Sequence, residues 1–154
     1  MGVPARTRGR RGDKFGLGPL LDTGVMLLGR TTWEHFARLW PTRTDPLSAQ
    51  TNALRKVVAS RTLTSASAWQ NAFVVDDLLP AARELKARQD VIVTGSISVV
   101  RALAAHGLVD EYRLMVFPTA VGAGERLFDV PAEMRLTSVE QKGSGVLLRY
   151  RTDG

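Results

Sequence analysis

Short apolar runs alternate along this chain with stretches whose apolar residues return every three or four positions, which predicts buried strands and amphipathic helices in turn. Gly16 to Leu21 ends in a helical turn, and Val25 to Leu28 is a short buried strand. Thr31 and Glu34 then fit a capping box, and Trp33, Phe36, Ala37 and Trp40 share one helical face until Pro41 stops the helix. That aromatic face is read as core. Residues 42 to 54 are polar and broken by Pro46, giving a loop with a short helix. Strands follow at Lys56 to Ala59 and Ala72 to Val75, then a helix from Leu78 to Arg88 with Pro80 in its first turn. Asp90 to Thr94 is the next buried strand, and the helix after Gly95-Ser96 turns Val99, Val100, Leu103 and Ala104 inward, ending near Gly107. Glu111 to Phe117 is a strand closed by Pro118, and a glycine-rich loop, Val121 to Gly124, precedes Leu127-Phe128. Arg135 to Gln141 and Val146 to Arg151 form a hairpin turned by Lys142 to Gly145.

Strands alternating with helices predict an α/β fold, and the terminal antiparallel hairpin makes its sheet mixed. Ligands of such sheets lie at the carboxyl ends of the strands. Gly29-Arg30-Thr31, Ser60-Arg61 and Gly95-Ser96-Ile97 all fall at that end, so three distant segments are predicted to converge on one cleft. Two of them pass through glycine into a hydroxyl-rich helix start, where close backbone approach, unpaired amides and the helix dipole favour phosphate. Glycine, serine and threonine are also ordinary turn residues, and both arginines can be plain surface charges.

Composition narrows the function classes. The chain has 154 residues, 44% of them hydrophobic and 23% charged, as expected for one globular domain. No apolar run approaches the roughly 20 residues that span a bilayer, and no signal sequence is evident, so a cytoplasmic location is expected. Without cysteine there is no disulfide framework or thiol nucleophile, and His35 and His106 stand in no metal-spacing motif, so no metal is expected. Of the net charge of +6, residues 1 to 14 carry +4 through Arg6, Arg8, Arg10, Arg11 and Lys14 against Asp13. The basicity is mostly a tail. It has no aromatic residue before Phe15 to stack on bases, so nucleic acid is not the expected partner.

Five words in fixed order carry a family resemblance: Leu28-Gly29-Arg30-Thr31-Thr32-Trp33-Glu34, Lys56-Val57-Val58-Ala59-Ser60-Arg61, Val93-Thr94-Gly95-Ser96, Gly107-Leu108-Val109-Asp110-Glu111-Tyr112, and Pro118 with Gly122-Ala123-Gly124-Glu125-Arg126-Leu127-Phe128. From about Leu20 to Arg151 the chain resembles the dihydrofolate reductase-like superfamily, and within it the C-terminal reductase domain of the bifunctional riboflavin-biosynthesis deaminase/reductase. The resemblance implies a three-layer fold with a twisted mixed sheet between helices, occupying residues 17 to 152 behind a basic Gly/Arg-rich tail, residues 1 to 16. It implies an NADPH-dependent reductase of a small heterocycle, of the pyrimidine reductase or dihydrofolate reductase type. Gly29, Arg30, Thr31 and Thr32 would face cofactor phosphate, Ser60 and Arg61 the adenosine 2′-phosphate, and Thr94, Gly95, Ser96 and Ile97 the pyrophosphate. Pro118, Gly122 and Gly124 would border substrate.

One expected part is missing. Members of this family begin with an apolar strand near the middle of the sheet, and residues 1 to 19 contain no such strand. Its loss predicts open strand edges and takes away the natural place for a proton donor, so no catalytic residue is assigned. A dinucleotide-binding protein without turnover is the alternative reading. The open edge and the face of Trp33, Phe36 and Trp40 suggest a homodimer.

Overall fold

The computed structural model describes residues 13–153, so the predicted tail lies outside it except for residues 13 to 16. Asp13 accepts hydrogen bonds from the amides of Leu17 and Gly18, at 2.7 and 2.9 Å, and so fixes the start of α1 (Gly18–Thr23).

Four parallel strands form the first sheet: β1 (Val25–Gly29), β2 (Lys56–Ala59), β3 (Ala72–Val75) and β4 (Val91–Ile92), in the order β3-β2-β1-β4. β1 is central, with its apolar residues at most 2% exposed, because period-two alternation sends Met26 and Leu28 to one face and Val25 and Leu27 to the other. Met26 and Leu28 join Val58, Ile92, Trp33 and Trp69 in a core layer packed by α2 (Arg30–Leu39) and by Leu47 and Leu54, at the two ends of α3 (Pro46–Ala53). Val25 and Leu27 meet Val57 and the inward residues of α4 (Leu78–Lys86) and α5 (Ile97–Ala104), among them Ala82, Leu85, Val99 and Leu103. Asp45 caps α3: its carboxylate accepts from the Ser48 amide and hydroxyl, and these bonds hold it below the usual carboxylate range.

Trp33 is buried, and Phe36, Ala37 and Trp40 pack half-buried beside it, so the aromatic face of α2 is core as predicted. It is therefore filled from within the chain, which removes it as an argument for a homodimer.

Lys56 was read only as the start of a strand, yet it is fully buried. Its Nζ donates to the carbonyls of Asn52 (2.5 Å) and Gln70 (2.9 Å) and lies 4.2 Å from the centre of the Trp69 ring. Trp69 in turn donates its indole N–H to Asn52 Oδ1 at 2.7 Å, so one cation and one amide hold the β2–β3 connection against α3. Burial pushes the Lys56 ammonium down to about 8.

The remaining strands form a separate antiparallel sheet, β5 (Glu111–Val116), β6 (Met134–Lys142) and β7 (Gly145–Thr152), in the order β5-β7-β6. The hairpin stands where the sequence places it, with a tighter turn at Gly143-Ser144. Strands anticipated in one mixed sheet thus divide into a parallel and an antiparallel sheet. β4 covers two residues where five were expected, since its ladder with β1 holds only Val25↔Val91 and Met26↔Ile92. Among the described residues no strand pairs with its other edge, nor with the outer edge of β5.

Candidate anion-binding site at the strand ends

Parallel pairing of β2, β1 and β4 brings their carboxyl ends side by side, and with them the three segments predicted to converge. Buried Ser96 donates its hydroxyl hydrogen to Thr32 Oγ1 at 2.6 Å and accepts from the Gly29 amide at 3.4 Å. Thr32 Oγ1 donates to the Gly95 carbonyl at 3.1 Å. The turn after β1 and the turn after β4 are thereby stitched into one surface.

Gly95 has φ +71°, and a Cβ there would lie 3.3 Å from the Phe36 ring and 3.5 Å from Thr32 Cγ2. Backbone and ring therefore approach as only glycine allows. Phe36 was assigned to the core on periodicity; its second task under this turn leaves no trace in local sequence.

The capping box does not form. β1 runs through Gly29 directly into α2, so Gly29 is the N-cap, Thr31 is already helical, and Glu34 instead accepts from Arg30 Nε at 2.9 Å. A cap residue must stand outside the helix, which begins two residues too early for Thr31. Neither α2 nor α5 has a side-chain cap, so the first-turn amides at both helix starts are left to an anion or to water.

Arg30 is not a plain surface charge, because its Nη1 donates to Thr62 Oγ1 at 2.6 Å and ties the turn after β2 to α2. Thr62 was missed, having no motif of its own. The Ser60 hydroxyl accepts from the amides of Thr62 (3.2 Å) and Leu63 (3.0 Å), shaping the turn that carries exposed Arg61. Pro118, Gly122 and Gly124 are exposed and line neither a cavity of 480 Å³ nor one of 160 Å³. Nothing lies within 4 Å of a Cβ built at Gly122 or Gly124.

The 480 Å³ cavity lies between β4 and β5, with Thr94 to Ile97 on its wall. Of the three acidic residues on its lining, Asp90, Asp110 and Glu111, two are in ion pairs: Asp110 with Lys86 at 2.9 Å, and Glu111 with Arg113 and, at 3.4 Å, Arg151. Burial pushes the Tyr112 phenol up, so it is a neutral donor near neutral pH. Among the described residues no cluster of His, Asp and Glu could hold a metal ion, and no helix is long and apolar enough to cross a membrane.

Comparison with known proteins agrees with this architecture. The structure aligns with that of a Shewanella sp. PV-4 protein whose name places it in riboflavin biosynthesis, with a TM-score of 0.72 and 19% identity, covering 99% of this chain and 84% of the other. A pyrimidine reductase-like protein from Corynebacterium diphtheriae aligns with a TM-score of 0.64 and 12% identity over 91% of this chain and 79% of its own. At such identities the fold alone is shared. In sequence, the chain is 31% identical over 137 residues to the uncharacterized protein YyaP of Bacillus subtilis (strain 168), covering 82% of this chain and 71% of YyaP. The model of the RibD C-terminal domain matches residues 21–148, nearly the whole described chain, and the protein belongs to that family.

Proposed function

We propose that the protein is an NADPH-dependent reductase of a small heterocyclic substrate, of the pyrimidine reductase kind. The observation that carries this reading is the stitched pair of uncapped helix starts, Gly29 to Thr32 and Gly95 to Ile97, beside the turn that presents Arg61. The donor set fits a dinucleotide: two groups of amides for the pyrophosphate, and a guanidinium one strand away for a terminal phosphate. Gly95, Ser96 and Ile97 would hold the pyrophosphate with Thr94, while Gly29, Arg30, Thr31 and Thr32 would close the site from α2. Arg61 would pair with the 2′-phosphate and Ser60 would keep its turn in shape. The nicotinamide supplies the hydride when bound. The protein's part is alignment and exclusion of water.

A proton must also reach the reduced bond. Asp110 and Glu111 are engaged by cations, which leaves ordered water, the Tyr112 phenol or the Asp90 carboxyl as the source. The second reading is binding without turnover.

Titration with NADPH and with NADH, followed by quenching of the tryptophans, tests the proposal. Saturable binding that prefers NADPH, with a preference that Arg61→Ala abolishes, is expected. Equal losses for both nucleotides would remove Arg61 from the 2′-phosphate, and no binding by folded protein would overturn the reading. NADPH binding with no oxidation across a panel of pterins, aminopyrimidinones and cyclic imines would establish the second reading.

A further inference from the structure

Like charges directly opposite one another on neighbouring strands repel across the ladder. The face of β5, β7 and β6 that carries Glu111 sets this repulsion up twice. Arg113 stands opposite Arg149, and Arg151 stands opposite Arg135. Glu111 is the carboxylate among them, and it is divided between Arg113 and Arg151. Further along β6, Glu140 and Lys142 neutralise each other at 3.1 Å and leave nothing for the arginines.

Arg149 is the cation left over. Arg113 donates through Nε to Glu111 and through Nη1 to the carbonyls of Phe15 and Gly16, so its side chain is only 16% exposed. Those bonds fix it beside Arg149. A Cβ built on Gly16, at φ +64°, would lie 2.6 Å from Arg149 Nη2 and 3.8 Å from Arg113 Nη1, so both guanidinium groups close on one glycine. Arg149 is half-buried there, and among the described residues its side chain has no hydrogen bond or ion pair. Asp13, in the same segment, spends both carboxylate oxygens on the amides of Leu17 and Gly18. A cation drawn partly out of water beside another cation costs stability until an anion meets both.

We propose that Arg149 and Arg113, flanked by Arg151 and Arg135, form a binding site for a phosphate group, in the other sheet from the turns after β1, β2 and β4. A guanidinium fork matches two oxygens of a tetrahedral anion with parallel hydrogen bonds. Two forks held side by side by strand pairing suit a doubly charged group better than a single carboxylate. Inorganic phosphate and the phosphate of an organic monoester share this chemistry. This inference is independent of the reductase reading, since none of these arginines belongs to the turns that carry it.

Titration of the 15N-labelled full chain with inorganic phosphate, at fixed pH and ionic strength against chloride, tests it. Saturable shifts of the Nε–H signals of Arg149 and Arg113 are expected. Glycerol phosphate in a parallel titration separates the sources: tighter binding than inorganic phosphate assigns the site to a monoester, weaker binding to the free ion. Arg149→Gln should weaken the binding reported by Arg113 about tenfold or more, and Arg149→Lys, which keeps the charge and loses the fork, should weaken it less. Without phosphate, Arg149→Gln should be at least as stable as the parent, because the repulsion across the ladder is gone; with phosphate, the parent should gain more in thermal midpoint than the variant. Shifts confined to Gly29–Thr32 and Gly95–Ile97, or undiminished binding by both Arg149 variants, would overturn the proposal. So would an Arg149→Gln protein destabilised equally with and without phosphate, which would make Arg149 a packing residue.

Discussion

The two sheets are built from similar strands and live in different solvents. β1 lies between two helical layers with its apolar residues nearly inaccessible, whereas Leu136 and Val139 of β6, and Val116 and Phe117 at the end of β5, are about half exposed. A parallel sheet needs crossover connections, and here α2, α4 and α5 cover its faces as a consequence of chain path. An antiparallel hairpin needs only a turn, so nothing in its connectivity brings a cover. The parallel half therefore holds the candidate anion-binding turns, and the antiparallel half keeps one face open to solvent. Arg113 of β5 ties the antiparallel half to the segment before α1, donating through Nη1 to the carbonyls of Phe15 (3.1 Å) and Gly16 (2.7 Å).

The sharpest test of this contrast pairs truncations in the two sheets. Leu28→Ala opens a cavity in a core that cannot collapse and should cost about 2–5 kcal/mol in urea unfolding. Leu136→Ala, on the exposed sheet, should stay within about 0.5 kcal/mol of the parent. Comparable losses would mean that the antiparallel sheet is covered in solution, as by a second copy.

Lys56 sharpens it next, as a charge confined to the closed half. Its folded pKa of about 8 lies below the unfolded value of 10.5, so the unfolded chain binds more protons between the two. Stability should accordingly rise with pH through that window, by up to about 3 kcal/mol, and the penalty is fully present below pH 8. Urea midpoints compared between pH 7.5 and 10 should show this rise in the parent and not in Lys56→Met. An equal rise in both would assign it to other groups.

Gly95→Ala should destabilise by about 1–2 kcal/mol, because alanine at a positive φ must also push against Phe36. The same change at Gly124, in open space, should be close to neutral by thermal unfolding. If Gly95→Ala proves neutral, the turn over Phe36 is not rigid. The smallest effect belongs to Glu34→Gln, which weakens only an exposed pair with Arg30 and should move stability by less than about 0.5 kcal/mol.

Much of the fold was legible because its signals are local. The strands at Lys56–Ala59 and Ala72–Val75, the helical aromatic face and the terminal hairpin follow from short-range periodicity and turn residues, which report burial wherever a strand or helix packs. The meeting of Gly29, Thr32, Gly95 and Ser96 was legible for the same reason, as glycines and hydroxyls at strand ends. Where sequence reasoning slipped, the cause was tertiary. Thr31 lost its capping role because β1 passes straight into α2, and β4 stopped after two residues because strand length depends on partners.

By itself, the sequence determined the order of strands and helices, the residues that face the core and the family, since each depends on which side chains must leave water. Tertiary structure alone decided that Ser96 reaches Thr32, that Phe36 lies beneath Gly95, and that Lys56 is buried among carbonyls and an indole. These contacts join residues far apart in the chain, and no local pattern encodes them. The edges of β4 and β5 left unpaired among the described residues belong to the same class: an unpaired strand edge exists only once every other strand has chosen its neighbour.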